Sequence, residues 1–349
     1  MSDSISFAHT LLSWYARHKR ELPWRGIRDP YRIWLSEVIL QQTRIAQGKD
    51  YYLRFLWEFP DVESLAAAPE DKVMKLWEGL GYYSRARNLH YAARQIAERG
   101  HFPDTPEEVK ALKGVGDYTA AAICSMAYGT PIAALDGNAY RVFGRIFSVE
   151  TPIDTTAGKK YYNELANSLL DKQHAGEFNQ AIMDFGAMQC LPKNPACAVC
   201  PFADKCGAHT VHREEHFPVR SKRIQTKDRY LNYFFILHDG KTLIRKRQDS
   251  DIWKGMYEPY LVETPDRQEI YDIHDRTLQQ ILSTQPLVRV VRKDMKHVLT
   301  HRRLWLNFYT IYTDAAPSIP ADQYRAIPLN HLQELAFPAP IKRIIEKIV

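Results

Sequence analysis

The chain of 349 residues contains no run of about 18 apolar residues, so no membrane-spanning helix is expected. Its first residues lack the basic, apolar and small-residue order of a secretory signal. Phe7 to Trp14 reads as an ordinary first helix. Internal repeats and low-complexity tracts are missing. Cysteine is scarce, with five in all, and four of them fall between Cys190 and Cys206. That clustering argues against a disulfide framework and for a metal site in a reducing, cytoplasmic setting. No excess of one charge dominates either. The net charge of +6 suits a nucleic-acid partner but does not demand one.

What is present falls into two parts. The first two hundred residues carry apolar positions at helical spacing. Thr105-Pro106-Glu107-Glu108 reads as a helix start, with a capping hydroxyl, proline in the first turn and acids facing the helix dipole, and Ala67 to Asp71 reads similarly. Residues 208–228 are polar and read as a linker. A zinc site built from His209, His212 and His216 fits no standard finger spacing. Beyond the linker the pattern is α+β. Tyr230 to Leu237 and Lys241 to Arg247 read as strands around an Asp239-Gly240 turn, 266–283 as a helix, and His297 to Thr313 as two strands around a turn. Ile341 to Val349 reads as a short closing helix.

Three constellations carry chemistry. Cys190, Cys197, Cys200 and Cys206 form C-x6-C-x2-C-x5-C. Four soft thiolates on one short loop suit zinc or an iron–sulfur cluster, and spacing alone does not choose between them. Cys124, in an alanine-rich stretch, reads as a small core residue. Between two predicted helices lies Leu112-Lys113-Gly114-Val115-Gly116-Asp117-Tyr118. Its glycines permit a tight turn with exposed amides, Asp117 is placed to cap the next helix, and such a helix start suits a phosphate. A generic helix–turn–helix link would use glycine too. Finally, Arg32 to Thr43 reads as one helix in which Glu37 faces Ile33, Trp34 and Leu40. Burial there would raise the carboxyl's pKa and make it a proton donor near neutrality; a surface glutamate is the plainer alternative. Asp136 reads equally as a helix cap or a functional acid.

These residues resemble a known family. The cysteine spacing resembles the [4Fe-4S] loop of the endonuclease III superfamily, and Gly114-Val115-Gly116 its helix-hairpin-helix, which grips the DNA backbone. Leu22-Pro23-Trp24-Arg25, Ser36-Glu37-Val38-Ile39-Leu40-Gln41-Gln42-Thr43, Leu76 to Leu89, and Phe178-Asn179-Gln180-Ala181 leading through Asp184 and Gly186 to Cys190 look like the MutY family, the adenine DNA glycosylases. The match runs through almost all of residues 5–206. The resemblance implies an all-α helix-hairpin-helix domain over 1–207 (hairpin about 105–128, cluster loop 190–206) and a Nudix-like α+β domain over 229–349 that reads 8-oxoguanine.

By the same resemblance Glu37 protonates adenine N7 and Asp136 stabilises the sugar cation, directly or through a covalent intermediate. Tyr118 and Asn138 support them. Trp24, Arg25 and Gln180 line the adenine pocket, while Gln42 and Tyr82 enter the stack near the opposing base. Lyase members carry lysine where Tyr118 stands, so base removal without efficient strand cleavage is expected. His297-Val298-Leu299-Thr300-His301 aligns with the family's Phe-Ser-His loop, with Leu299 and Thr300 substituted; a hydroxyl and His301 remain to meet the damaged base. No R-E-x-x-E-E run follows, which speaks against Nudix metal chemistry. The expectation is a monomer acting on duplex DNA with adenine opposite 8-oxoguanine or guanine, at the bacterial nucleoid. An endonuclease III-like glycosylase/lyase and a catalytically silent DNA-binding protein are the competing readings.

Overall fold

The computed structural model describes residues 2–221, 226–248, 251–317 and 323–348. Residues 222–225 of the expected linker, and Val349 of the expected closing helix, lie outside this set. The chain divides into two compact units, Met1–Ala67 with Asn88–Arg223, and Ala68–Arg87 with Ile224–Val349. Residues 68–87 thus sit in the helical half of the sequence but pack with the C-terminal half.

In chain order the helices up to the cysteine loop are α1 (Ser2–His18), α2 (Pro30–Leu40), α3 (Ile45–Glu58), α4 (Val62–Ala67), α5 (Glu70–Leu76), α6 (Ser84–Arg99), α7 (Pro106–Ala111), α8 (Asp117–Tyr128), α9 (Gly137–Ile146), α10 (Thr156–Leu169) and α11 (Ala175–Met188), with α12 (Gly207–Thr210) just after it. The core of the first unit joins α1, α8, α9, α10 and α11 through Phe7, Leu11, Trp14, Phe143, Phe178 and Phe185. Asp29 starts α2 by accepting from the Arg32 amide, with Pro30 in the first turn. Ile33, Trp34, Leu35, Val38 and Ile39 are all buried, so α2 is apolar almost all round.

Two local readings change. The helix expected to run to Thr43 stops at Leu40, and Gln42 has φ +57, a left-handed turn that swings the chain away from the helix axis. In the hairpin, Gly116 and not Asp117 holds the N-cap position of α8, and no side chain caps it. Asp117 sits one residue inside the helix and pairs with Lys110 at 2.5 Å. Gly114 makes the turn possible, at φ +80 with its missing Cβ only 2.7 Å from the Asn88 Cβ.

The second unit is built on a mixed sheet of β1 (Lys227–His238), β2 (Lys241–Lys246), β3 (Tyr257–Thr264), β4 (Leu287–Val298), β5 (Arg302–Tyr312) and β6 (Arg325–Pro328), ordered β4-β5-β1-β3-β2-β6. β1 and β5 run parallel in register from Lys227↔Arg302 to Leu237↔Tyr312, and the other pairs are antiparallel. Asp239 and Gly240 take φ +50 and +67, the left-handed pair that a tight hairpin needs. α13 (Arg276–Leu282) packs on the sheet and α14 (Ala339–Ile348) closes the chain. The helix expected over 266–283 forms only from Arg276, because Asp275 caps there by accepting from the Leu278 amide. β4 begins at Leu287, ten residues before the expected His297. It is a mostly exposed, charged strand that shows little apolar alternation.

Close packing between α11 and the start of α9 is set by Gly186, whose absent Cβ would lie 2.5 Å from the Asn138 Cβ. Gly186→Ala is expected to destabilise the protein by about 1–3 kcal/mol, read as a lower urea midpoint.

Candidate active site and cysteine loop

One cavity of about 960 Å³ in the first unit is lined by Trp24, Arg25, Glu37, Gln42, Tyr118, Asp136, Asn138 and Gln180. Residues expected to act together from five separate stretches of sequence thus share one wall. The Tyr118 hydroxyl donates to Glu37 Oε2 at 2.5 Å and also touches Met183 Sδ at 3.7 Å. Burial pushes the Glu37 pKa above its ordinary value. The Tyr118 bond and the nearby Arg25 charge oppose that rise, and the Asp136 charge adds to it.

Asp136 is the N-cap of α9 and accepts from the Ala139 amide and from Asn138 Nδ2, both at 2.7 Å. Burial raises its pKa as well, but these donors work against protonation. Asp136 thus caps a helix and also lines the cavity. Of the two carboxyl groups in this pocket, Asp136 has several donors that oppose its protonation and Glu37 a single phenol.

Several residues that sequence reasoning did not assign complete the site. Asp184, fully buried, accepts from Arg20 Nη2 at 2.5 Å and Arg25 Nη2 at 2.8 Å, fixing both guanidinium groups at the pocket. The Tyr15 hydroxyl donates to Gln180 Oε1 at 3.0 Å, which leaves the amide NH₂ as the donor end of that side chain. Asp184 lies four residues after Gln180 on α11, a helical spacing that could have flagged it. Tyr15, far off in sequence, gave no such signal.

The four expected cysteines line one recess with Arg145, Phe185 and Ala196. Cys206 is buried and the others are half-buried. Burial, helped by the other loop cysteines and opposed by the Phe202 amide, pushes the Cys200 thiol up to about 11. Burial raises the Cys197 and Cys206 thiols as well, and a cation among these sulfurs would favour their ionised forms, which fits a metal-binding loop. Arg145, about 1% exposed, donates to Cys190 Sγ at 3.3 Å and to the carbonyls of Leu191, Pro192 and Glu214. Arg141 bridges the two centres: Nε donates to the Cys190 carbonyl at 2.8 Å and Nη2 to Asn138 Oδ1 at 2.8 Å, and Asn138 in turn holds Asp136. Of the three linker histidines, His209 bonds Glu214 at 2.6 Å and His216 bonds Glu150 at 3.2 Å. Cys197, His209 and Glu214 come within metal-binding reach of one another, whereas the three histidines do not group.

Tyr82, Thr300 and His301 are not part of the first unit's cavity. They line a second one of about 670 Å³ inside the second unit, where the Tyr82 hydroxyl lies 3.3 Å from Thr300 Oγ1. Gly114, Val115 and Gly116 form the turn described above, the glycines exposed and Val115 buried, and line neither cavity.

Residues 35–168 match the family described as HhH-GPD superfamily base excision DNA repair protein, and residues 232–347 match the NUDIX domain. A thermostable thymine-DNA glycosylase of known structure is 30% identical, with a TM-score of 0.56 over 60% of this chain and 98% of that one. An endonuclease III–DNA complex at 20% identity and TM-score 0.51 shares the fold. The protein is thus a base excision repair glycosylase of the helix-hairpin-helix superfamily with a Nudix-like C-terminal domain. An adenine DNA glycosylase of Buchnera aphidicola subsp. Baizongia pistaciae is 32% identical over 99% of this chain and 97% of its own length, and one of Mus musculus is 31% identical over 92% and 73%. The chain belongs to the adenine DNA glycosylases, enzymes of DNA repair. Among the described residues no helix is long and apolar enough to cross a membrane.

The folded-state pKa of Glu37 is raised, so folding takes up a proton between its unfolded and folded values. Its contribution is fully present below the unfolded value and is lost as pH rises through the folded one. Glu37→Gln is therefore expected to raise the thermal midpoint at about pH 8, with the gain fading toward about pH 4. Calorimetry across that range checks it.

Proposed function

We propose that this enzyme removes adenine paired with 8-oxoguanine or guanine, leaves the sugar–phosphate strand intact, and carries a [4Fe-4S] cluster on Cys190, Cys197, Cys200 and Cys206. The observation that carries the catalytic part is the Glu37–Tyr118 bond in a desolvated cavity that also holds Asp136. Adenine leaves poorly as an anion. With Tyr118 donating to Oε2, the Glu37 proton resides on Oε1 and is delivered to adenine N7. The departing base leaves an oxocarbenium-like sugar, and Asp136, kept ionised by the Ala139 amide and Asn138, stabilises it. Glu37, now a carboxylate, takes a proton from the attacking water. The adenine must first leave the duplex, and Trp24, Arg25 and Gln180 receive it.

Discrimination of the opposing base falls to Tyr82, Thr300 and His301. What supports this is their common cavity and the exposure of both Thr300 and His301. The backbone is gripped at Gly114-Val115-Gly116 by the uncapped α8 start. The cluster, when bound, supplies a fixed cross-link of the 190–206 loop; Arg145 and Arg141 hold that loop, and Arg141 passes its position to Asn138.

Duplexes with adenine opposite 8-oxoguanine should be cut at that adenine only after alkali. Glu37→Gln and Asp136→Asn should bind such duplexes and lose at least about 100-fold in single-turnover rate. Tyr118→Lys should gain a borohydride-trappable adduct and strand cleavage. Full activity in either carboxylate variant would remove the assigned roles. A brown chromophore with four irons per chain is expected in the purified protein; bound zinc instead would overturn the cluster.

A further inference from the structure

Glu78 is a carboxylate with 3% of its side chain exposed. It accepts from the Phe337 amide at 2.9 Å, from Lys75 Nζ at 3.0 Å and from Lys342 Nζ at 2.5 Å. Nothing in the adenine chemistry uses it. Its surroundings show what it joins. Trp77 Nε1 donates to the Gly81 carbonyl at 3.0 Å and Arg85 Nη2 to the same oxygen at 3.3 Å, which folds residues 77–82 into a tight loop. That loop presents Tyr82 at φ +47, an uncommon conformation for a bulky residue. On the other side, Phe337 and Lys342 flank Ala339 and Pro340, which line the same cavity as Tyr82 and Thr300. Asp71 adds a second fastening, taking Lys246 at 2.5 Å and the Tyr257 hydroxyl at 3.0 Å.

We propose that Glu78 is a positioning residue for base discrimination: it locks the Tyr82 loop to the C-terminal domain, so that Tyr82 and Thr300 act as one preformed reader of the base opposite adenine. Charge-assisted bonds from two ammonium groups to one buried carboxylate are strong and directional. They fix the loop where its strained turn alone would not. The reader is then carried by the second unit, although Tyr82 lies in the helical half of the sequence. This inference rests on the proposed role of Tyr82, Thr300 and His301.

The test uses the full-length protein and duplexes with a non-hydrolysable adenosine analogue opposite 8-oxoguanine or guanine. The readout is the ratio of the two dissociation constants. Glu78→Gln keeps an acceptor for the Phe337 amide and removes the charge, and should lower the preference for 8-oxoguanine about tenfold. Adenine release from the guanine duplex should stay within about twofold of wild type. In a Tyr82→Ala background the Glu78→Gln change should move the ratio by less than about twofold, because the two act through one element. Lys342→Gln, at the half-exposed end of the cluster, should act in the same direction and decides the matter if Glu78→Gln does not fold. An unchanged ratio in the folded variants, even with a lowered melting temperature, would overturn the proposal, as would additive effects in the double variant. A wild-type protein with no preference for 8-oxoguanine would instead remove the reading on which it rests.

Discussion

Burial of one carboxyl group, that of Glu37, is the constraint around which the first unit's cavity is built. Helix α2 is buried on most of its surface, which is unusual for a helix of eleven residues carrying a charge-capable side chain. Desolvation raises the pKa, while the Tyr118 phenol aims the carboxyl group and partly restrains the rise. A phenol suits this position because it donates to a carboxylate without forming an ion pair, which would stabilise the anion too strongly.

The second carboxyl group of the same cavity is held differently. Asp136 sits at the first turn of α9, where backbone amides and Asn138 supply the donors that water would otherwise provide. Gly186 lets α11 approach that turn, and Arg141 ties it to the first cysteine of the loop. The cysteine loop thus braces the helix that Asp136 caps, and its Pro192 reaches the cavity.

Much of this was legible in linear order. The Glu37 helix, the Gly114 turn, the Asp136 cap and the four cysteines are local patterns, each within one turn or one loop. What was not legible depends on long separations. Asp184 stands in a stretch that resembles the family, but only folding brings Arg20 and Arg25 to it from about 160 positions away. The end of α2 and the α8 cap were misjudged for another reason. Propensity does not register a single left-handed residue such as Gln42, nor decide between adjacent cap candidates such as Gly116 and Asp117.

The sequence by itself determined that four thiols crowd one short loop, that a phenol and not an amine stands at position 118, and that a helical pattern gives way to an α+β one. These depend on residue identity and short spacing. The tertiary structure decided which polar groups are desolvated, how the Asp136 donors counter its burial, and that residues 68–87 fold with the C-terminal half. The reason is physical: proton affinity and domain membership depend on what surrounds a side chain, and those neighbours are chosen by packing rather than by order along the chain.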